Sequence, residues 1–84
     1  MLELFDAQVA PNNLIQVKAM LDGVPAPFHV APEVIADILR LQEYDLASCK
    51  AKLEDEWDQL ADPLERLLRK YGVATLITSE MLIP

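Results

Sequence analysis

The sequence predicts a small α+β domain in which a sheet is covered on one face by helices. Three observations indicate this two-layer fold class. Residues 14–30 alternate between apolar and polar side chains around a turn signal, residues 32–61 show helical spacing, and residues 63–71 are bounded by helix start and stop signals. A chain of 84 residues is enough for a single domain, residues 1–84, and buries roughly 60–65% of its unfolded surface.

The segment 14–30 predicts a β-hairpin. Asp22-Gly23 is a two-residue turn signal, because both residue types tolerate the positive φ that a tight hairpin turn needs. Pro25 and Pro27 are compatible with a strand, since alternate residues direct their backbone nitrogens to the same edge, which can face solvent. The inward-facing positions are Ile15, Val17, Ala19 and Leu21 in the first strand and Val24, Ala26, Phe28 and Val30 in the second. A helix from an Asn13 cap to a stop at Gly23 is the alternative.

Residues 32–61 predict one long or bent helix. Pro32 suits the first helical turn, and no further proline or glycine occurs up to residue 61. The apolar residues with helical spacing are Val34, Ile35, Ile38, Leu39, Leu46, Cys49, Leu53, Trp57 and Leu60. Gln42 and Asp45 interrupt this stripe, so two shorter helices that meet near residues 44–48 are the alternative.

A second helix is predicted over residues 63–71. Asp62 can cap it, Pro63 occupies its first position, Glu65 completes a capping box and Gly72 ends it. Glu65 and Arg69 form a favourable i,i+4 pair. The absence of a loop before Pro63 predicts a sharp corner between the two helices.

Two short strands complete the predicted sheet. Residues 73–78 are rich in β-branched side chains and predict a C-terminal strand that can join the hairpin. Residues 1–5 can supply another strand. We therefore expect a small sheet, built from the hairpin and the C-terminal strand, on one side of the helices.

The charge balance disfavours several classes of partner. Fourteen acidic residues against seven basic ones give a net charge of −7, which repels nucleic-acid phosphates and anionic membranes. No apolar run approaches the length of a membrane span, and the first residues lack a basic leader pattern. A single cysteine fits a reducing compartment. We expect a cytoplasmic protein that binds neither nucleic acid directly nor membranes.

His29 and Cys49 are the residues to weigh for catalysis. A nucleophile pair needs proximity, an orienting acid and an oxyanion hole, and the chain offers no glycine-rich turn to build that hole. Cys49 fits a small buried residue on a helix stripe better. There are too few soft ligands for a zinc-type site. The sequence therefore predicts neither an enzyme nor a metal or cofactor site.

The run EDEWDQLAD gathers five acidic residues in nine positions. These residues are Glu54, Asp55, Glu56, Asp58 and Asp62. On one continuous helix three of them repel one another at i, i+4 and i+8, at a few tenths of a kcal/mol each. The run can be a docking surface for a basic partner, a weak divalent-cation site or a solvated face that aids solubility.

A surplus of apolar side chains indicates association. The residues that do not fit one core stripe are Met20, Leu41, Tyr44, Trp57, Met81, Leu82 and Ile83. Tyrosine, tryptophan and methionine are enriched at interfaces, and twofold dimers are the commonest oligomers. We expect a homodimer that forms through the helices.

These observations favour a non-enzymatic protein–protein interaction module, such as an adaptor, assembly factor or inhibitor. We expect Tyr44, Leu53 and Trp57 to anchor another protein, and Glu54, Asp55 and Asp58 to steer a basic surface toward them. The alternative is a phage or mobile-element inhibitor that blocks a nucleic-acid-binding surface of its target by acidic mimicry.

Overall fold

The computed structural model describes residues 1–42, 45–73 and 76–82 and shows a mixed α+β fold, which confirms the predicted fold class. The strands in these ranges are β1 (Leu2–Val9), β2 (Ile15–Leu21), β3 (Val24–Pro25), β4 (Phe28–Val30) and β5 (Leu76–Ile77). The helices in the same ranges are α1 (Pro32–Leu39), α2 (Leu46–Asp55), α3 (Trp57–Tyr71) and a short 3₁₀ helix (Ser79–Leu82).

The predicted hairpin is the centre of the sheet. Strand order is β1-β2-β4-β5, with β3 also paired to β2; β1, β3 and β4 run antiparallel to β2, and β5 runs parallel to β4. The turn residues Asp22 and Gly23 both have positive φ, 54° and 83°. This is the combination required by a two-residue hairpin turn whose twist matches that of its strands. The helical alternative for residues 13–23 is not adopted.

The two prolines of the hairpin lie where the missing backbone donors are tolerated. The amide of Ala26 donates to the carbonyl oxygen of Ala19 at 2.8 Å, so residue 26 directs its nitrogen toward β2. Pro25 and Pro27, one position before and after, direct their nitrogens to the opposite edge. The edge-strand interpretation of the prolines is therefore confirmed, although pairing is interrupted between β3 and β4.

The core lies between one face of the sheet and the helices. The largest buried side chains are Ile15, Val17, Phe28, Val30 and Ile77 from the sheet and Val34, Ile35, Leu53, Leu60, Leu64 and Leu68 from the helices. The alternation predicted for the hairpin holds along most of its length. Val24, beside the turn, is the exception at 62% exposed.

The segment predicted as one long or bent helix forms separate helices. Arg40 adopts left-handed backbone angles (φ 57°, ψ 47°), and the amides of Arg40 and Leu41 both bond to the carbonyl oxygen of Ala36. A left-handed residue at this position ends α1 in the same way that a glycine often ends a helix. Helix α2 then starts afresh, because the Asp45 side chain accepts a 2.6 Å hydrogen bond from the amide of Ser48. The alternative of shorter helices is the better description, with α1 ending at Leu39 and α2 beginning at Leu46; residues 43–44 lie outside the described ranges.

The corner between helices lies at Glu56, six residues before the predicted position at Asp62. Helix α2 ends and α3 begins at Glu56 (φ −112°, ψ 27°), and Pro63 lies inside α3. Asp62 therefore does not cap a helix, and the predicted capping box does not form. The helix continues through Pro63 because it buries one continuous stripe, comprising Leu60, Leu64, Leu67 and Leu68. Gly72, with φ 101°, ends α3 as predicted.

The outer strands agree with the sequence in position but not in length. β1 extends over residues 2–9, beyond the expected 1–5, and bulges at Phe5. β5 covers Leu76–Ile77 within the predicted strand 73–78; residues 74–75 lie outside the described ranges, and residue 73 is in a turn.

A group of charges ties the hairpin turn to α3. The Asp22 carboxylate bonds to the amine of Met1 and, at 2.6 Å, to Nη2 of Arg69. The Glu65 carboxylate accepts from Nε of Arg69 at 3.2 Å and lies 3.3 Å from the same amine. The predicted Glu65–Arg69 pair is thus confirmed as part of a closed ring of alternating charges. Because the ring is exposed, salt screens it.

None of the helices in the described ranges is long and apolar enough to cross a membrane.

Candidate functional site

The two residues considered for catalysis lie on opposite sides of the sheet. Phe28 and Val30 point into the core, so His29 between them points to the face away from the helices. Cys49 is fully buried on α2, and its Sγ donates to the carbonyl oxygen of Pro32 at 3.3 Å. Burial, together with the nearby Asp45 carboxylate, raises the pKa of the Cys49 thiol. Cys49 is a core residue, as the sequence favoured.

The acidic run is divided between two helices and does not form one ridge. Glu54 lies on α2 and binds Nζ of Lys50 at 2.6 Å. Glu56 lies at the helix junction and accepts a 2.5 Å hydrogen bond from the side-chain amide of Gln59. Asp55 is exposed at the end of α2, whereas Asp58 is exposed on the first turn of α3. Among the described residues, no group of three or more acidic, histidine or cysteine side chains is placed to hold a metal ion.

The three predicted anchors have different positions. Leu53 is 0% exposed in the centre of the core, so a direct contact between Leu53 and a partner does not fit this placement. Trp57 is half-buried, and its Nε1 donates a long 3.4 Å hydrogen bond to the carbonyl oxygen of Leu2. Tyr44 lies outside the described residues.

A cleft with an acidic rim runs between the start of β1 and the first half of α3. Its volume is about 370 Å³. The floor is apolar and formed by Leu2, Leu4, Trp57 and Ala61, with Met1 at one end. The rim carries the carboxylates of Glu3, Asp58 and Asp62, which are all exposed. We call this feature the acidic cleft, and it brings together Trp57 and Asp58 of the predicted binding residues.

Comparison with protein-family models, curated proteins and solved structures finds no match. A functional inference for this chain therefore rests on its own geometry and charge.

The sheet face that points away from the helices is a second surface with functional potential. It carries an open groove of about 360 Å³, lined mainly by Phe5, Lys18, Met20, Pro25 and Pro27. We call this side of the sheet the open face. His29 and Leu76 continue it toward β5, because His29 pairs with Gln16 on one side and with Leu76 on the other.

Phe5 is the residue of this surface that sequence reasoning missed. It is 80% exposed, because period two from Leu2 and Leu4 directs it away from the helices; the bulge then lets Asp6 face the same side before Ala7 returns to the core. A break in period two at Phe5-Asp6 is visible in the sequence and is the signal that could have revealed it. The register of β1 against β2, which creates the bulge, depends on tertiary pairing.

The predicted apolar surplus is present, but on different side chains. Trp57, Met81 and Leu82 pack partly against the core, and Met20 and Leu41 are half-buried; Tyr44 and Ile83 lie outside the described ranges. The large apolar residues that are exposed in those ranges are Met1, Phe5, Val9, Val24, Tyr71, Val73 and Leu76. The sheet thus contributes more of this exposed apolar surface than the helices do.

Proposed function

We propose that this chain is a non-enzymatic protein–protein interaction module whose acidic cleft binds a basic segment of another protein. The observation that carries the proposal is the combination, in one cleft, of an apolar floor and a rim of three carboxylates. An apolar side chain of the partner fills the floor between Leu4, Trp57 and Ala61. Lysine or arginine residues on either side of it pair with the rim.

The physical roles of floor and rim differ. Desolvated apolar contacts with an aromatic anchor such as Trp57 supply most of the affinity at an interface. Exposed carboxylates such as Asp58 and Asp62 contribute little affinity each, but they steer a cationic partner and accelerate its association. A net charge of −7 extends this attraction over the whole molecule.

The arrangement of the acidic residues supports mimicry of nucleic acid less well than it supports the binding of a basic segment. Glu54 is neutralised by Lys50, and the acidic run is split at Glu56 between two helices. A cleft with an apolar floor suits a peptide segment better than it suits a surface built for phosphates. We further propose that the module acts as a homodimer, as the sequence favours.

The test uses short peptides selected from an unbiased random library against the intact protein. We expect the selected peptides to carry an apolar residue flanked by lysine or arginine. They should change the fluorescence of Trp57, which is the single tryptophan of the chain. Selected peptides without basic residues, or without effect on this fluorescence, would contradict the proposal.

A pair of charge reversals locates the site. Asp58→Lys is expected to lower the association rate of such a peptide by about threefold to tenfold at low salt relative to Asp37→Lys. Asp37 is exposed on α1, so its reversal changes the net charge equally without touching the acidic cleft. Equal rates for the two variants, measured by stopped-flow fluorescence, would show that only the overall charge acts.

A further inference from the structure

Two edges of the sheet, that of β1 and that beside Pro25 and Pro27, are protected against the addition of another strand. On the hairpin side, the nitrogens of Pro25 and Pro27 face the open edge and cannot donate to a neighbouring chain. On the β1 side, the amide of Asp22 bonds to the carbonyl oxygen of Met1, so the next carbonyl, that of Leu2, points outward. The indole Nε1 of Trp57 donates a hydrogen bond to this outward carbonyl oxygen. The bulge at Phe5 interrupts the regular pairing pattern of β1. Strand addition beside β1 or beside the two prolines is therefore unfavourable, and the open face is the larger surface that the sheet offers for association.

The open face has the apolar character of a surface that becomes covered. The helices cover the opposite face, whereas Phe5 stands 80% exposed beside the groove that Met20, Pro25 and Pro27 line. Its ring is next to a depression of about 360 Å³ in the same surface. Phe5 is itself part of the lining of this groove, so a twofold axis can bring the apolar surface of one copy, with its exposed ring, against the same surface of the other copy.

The charges of the open face indicate which kind of partner can bind there. The face carries Glu3 and Asp6, two of the fourteen acidic residues, together with Lys18 opposite Asp6 on the neighbouring strand. Most of the net charge of −7 lies elsewhere, so a second copy of this acidic chain meets little like charge here. Across a twofold axis, Lys18 of one copy approaches Glu3 and Asp6 of the other.

We propose that the open face binds a second copy of the chain in a twofold-symmetric dimer. This inference rests on the proposed dimeric state and replaces the helices by the sheet as the contact surface. The floor of each acidic cleft and its rim residues Asp58 and Asp62 then remain accessible at the outside of the dimer, whereas Glu3 lies at the border between cleft and open face. Each dimer presents two such clefts to basic partners.

The size of the surface sets the expected strength of the dimer. Four strands and a central strand of seven residues give a face of about 19 by 23 Å, on the order of 450 Å². Stable complexes of standard size bury about 800 Å² on each partner. We therefore expect a dissociation constant of about 1 µM or weaker, so the molecule exchanges between monomer and dimer at ordinary working concentrations.

Charge reversal on the open face tests the proposal in the intact chain. Lys18→Glu leaves three acidic side chains and no basic one on the face, and it should raise the dissociation constant of the dimer by roughly tenfold or more. Lys52→Glu is the matched control, because Lys52 is exposed on α2 and its reversal changes the net charge equally. Sedimentation equilibrium over a range of concentrations should show less than about a twofold effect for this control.

Mixing experiments distinguish contact from loss of folding. Protein carrying Asp6→Lys, mixed with protein carrying Lys18→Glu, should form mixed dimers, because opposite charges now meet across the axis. The chain carrying both substitutions should dimerise as the unmodified chain does. Circular dichroism of each variant establishes that it is folded before its association is measured.

Three outcomes would overturn the proposal: equal weakening by Lys18→Glu and Lys52→Glu, the absence of mixed dimers, or a monomer at every concentration. Peptide binding at the acidic cleft is measured separately with Asp58→Lys. A monomer that still binds the selected peptides overturns the open-face dimer and leaves the acidic cleft standing. A dimer that does not bind the selected peptides overturns the acidic cleft as a binding site and leaves the open-face dimer standing.

Discussion

Asp22 combines two functions at one position, because it forms the hairpin turn and accepts charged hydrogen bonds. The amine of Met1 and then the guanidinium of Arg69 lower the pKa of Asp22 to about 2. An unfolded aspartate has a pKa of about 3.9. The folded state therefore binds this proton less tightly than the unfolded state, so Asp22 stabilises the fold above about pH 4, and this contribution is lost as the pH falls toward 2.

Asp22→Asn should reduce this acid sensitivity without disturbing the turn, since asparagine also tolerates positive φ. Urea unfolding followed by circular dichroism is expected to show a smaller free energy of unfolding for the variant at neutral pH. The two curves should converge near pH 2. Asp37→Asn, which removes an exposed charge on α1, is the control. Curves that stay parallel down to pH 2 would rule out this role for Asp22.

Single residues differ in how far the sequence reveals their environment. The burial of Ile15, Val17 and Phe28 could be predicted, because period two places them on one face of a hairpin whose turn is set by its own two residues. The sequence could not show whether Leu53 is buried in the core or exposed at an interface with a partner, because leucine occurs in both environments. The sequence offers two apolar alternations in β1, one through Leu2 and Leu4 and one through Phe5 and Ala7, and the bulge that leaves Phe5 outside while burying Ala7 exists only once β1 pairs with β2.

At the scale of elements, α3 shows tertiary packing overriding a local signal. Asp62-Pro63 has the form of a helix start, yet α3 begins at Trp57 and passes through Pro63. The proline cannot donate to the carbonyl oxygen of Gln59, and it costs about 3 kcal/mol relative to alanine in a helix interior. The buried stripe from Leu60 to Leu68 stabilises the helix in spite of this cost.

Pro63→Ala is therefore expected to stabilise the protein. Removing the proline restores a hydrogen bond and relieves a contact, so the free energy of unfolding should rise by up to about 3 kcal/mol, a value that already includes the greater flexibility of the unfolded chain. Thermal and urea unfolding measure the change. Pro32→Ala, at the first position of α1, should be neutral or destabilising. Destabilisation by both substitutions would place Pro63 at a helix start after all.

The ends of α3 and α1 show why one helix boundary could be predicted from the sequence and another could not. Glycine at position 72 marks the end of α3 because glycine adopts positive φ readily, and this end was predicted. Arg40 ends α1 with the same sign of φ, but arginine carries no such signal. Since the local sequence does not mark this end of α1, separate helices could be expected only as an alternative.

At the scale of the whole molecule, the two proposed surfaces differ in the charge of their occupants. The acidic cleft attracts a basic segment, whereas the open face receives another chain of net charge −7. The electrostatic contribution is thus favourable for the first association and, at long range, unfavourable for the second. Among the electrostatic contributions, only the carboxylate–lysine contacts across the dimer axis oppose that repulsion, and they are few and exposed; the apolar contacts of the open face must supply the rest.

Salt should consequently move the two equilibria in opposite directions. Raising the ionic strength from about 0.05 to about 0.5 M shortens the Debye length well below the width of the molecule and screens both long-range terms. We expect the dissociation constant of the selected basic peptides to rise and that of the dimer to fall, as measured by Trp57 fluorescence and by sedimentation. Parallel changes would mean that both ligands use surfaces of the same charge, so the division between acidic cleft and open face would have to be abandoned.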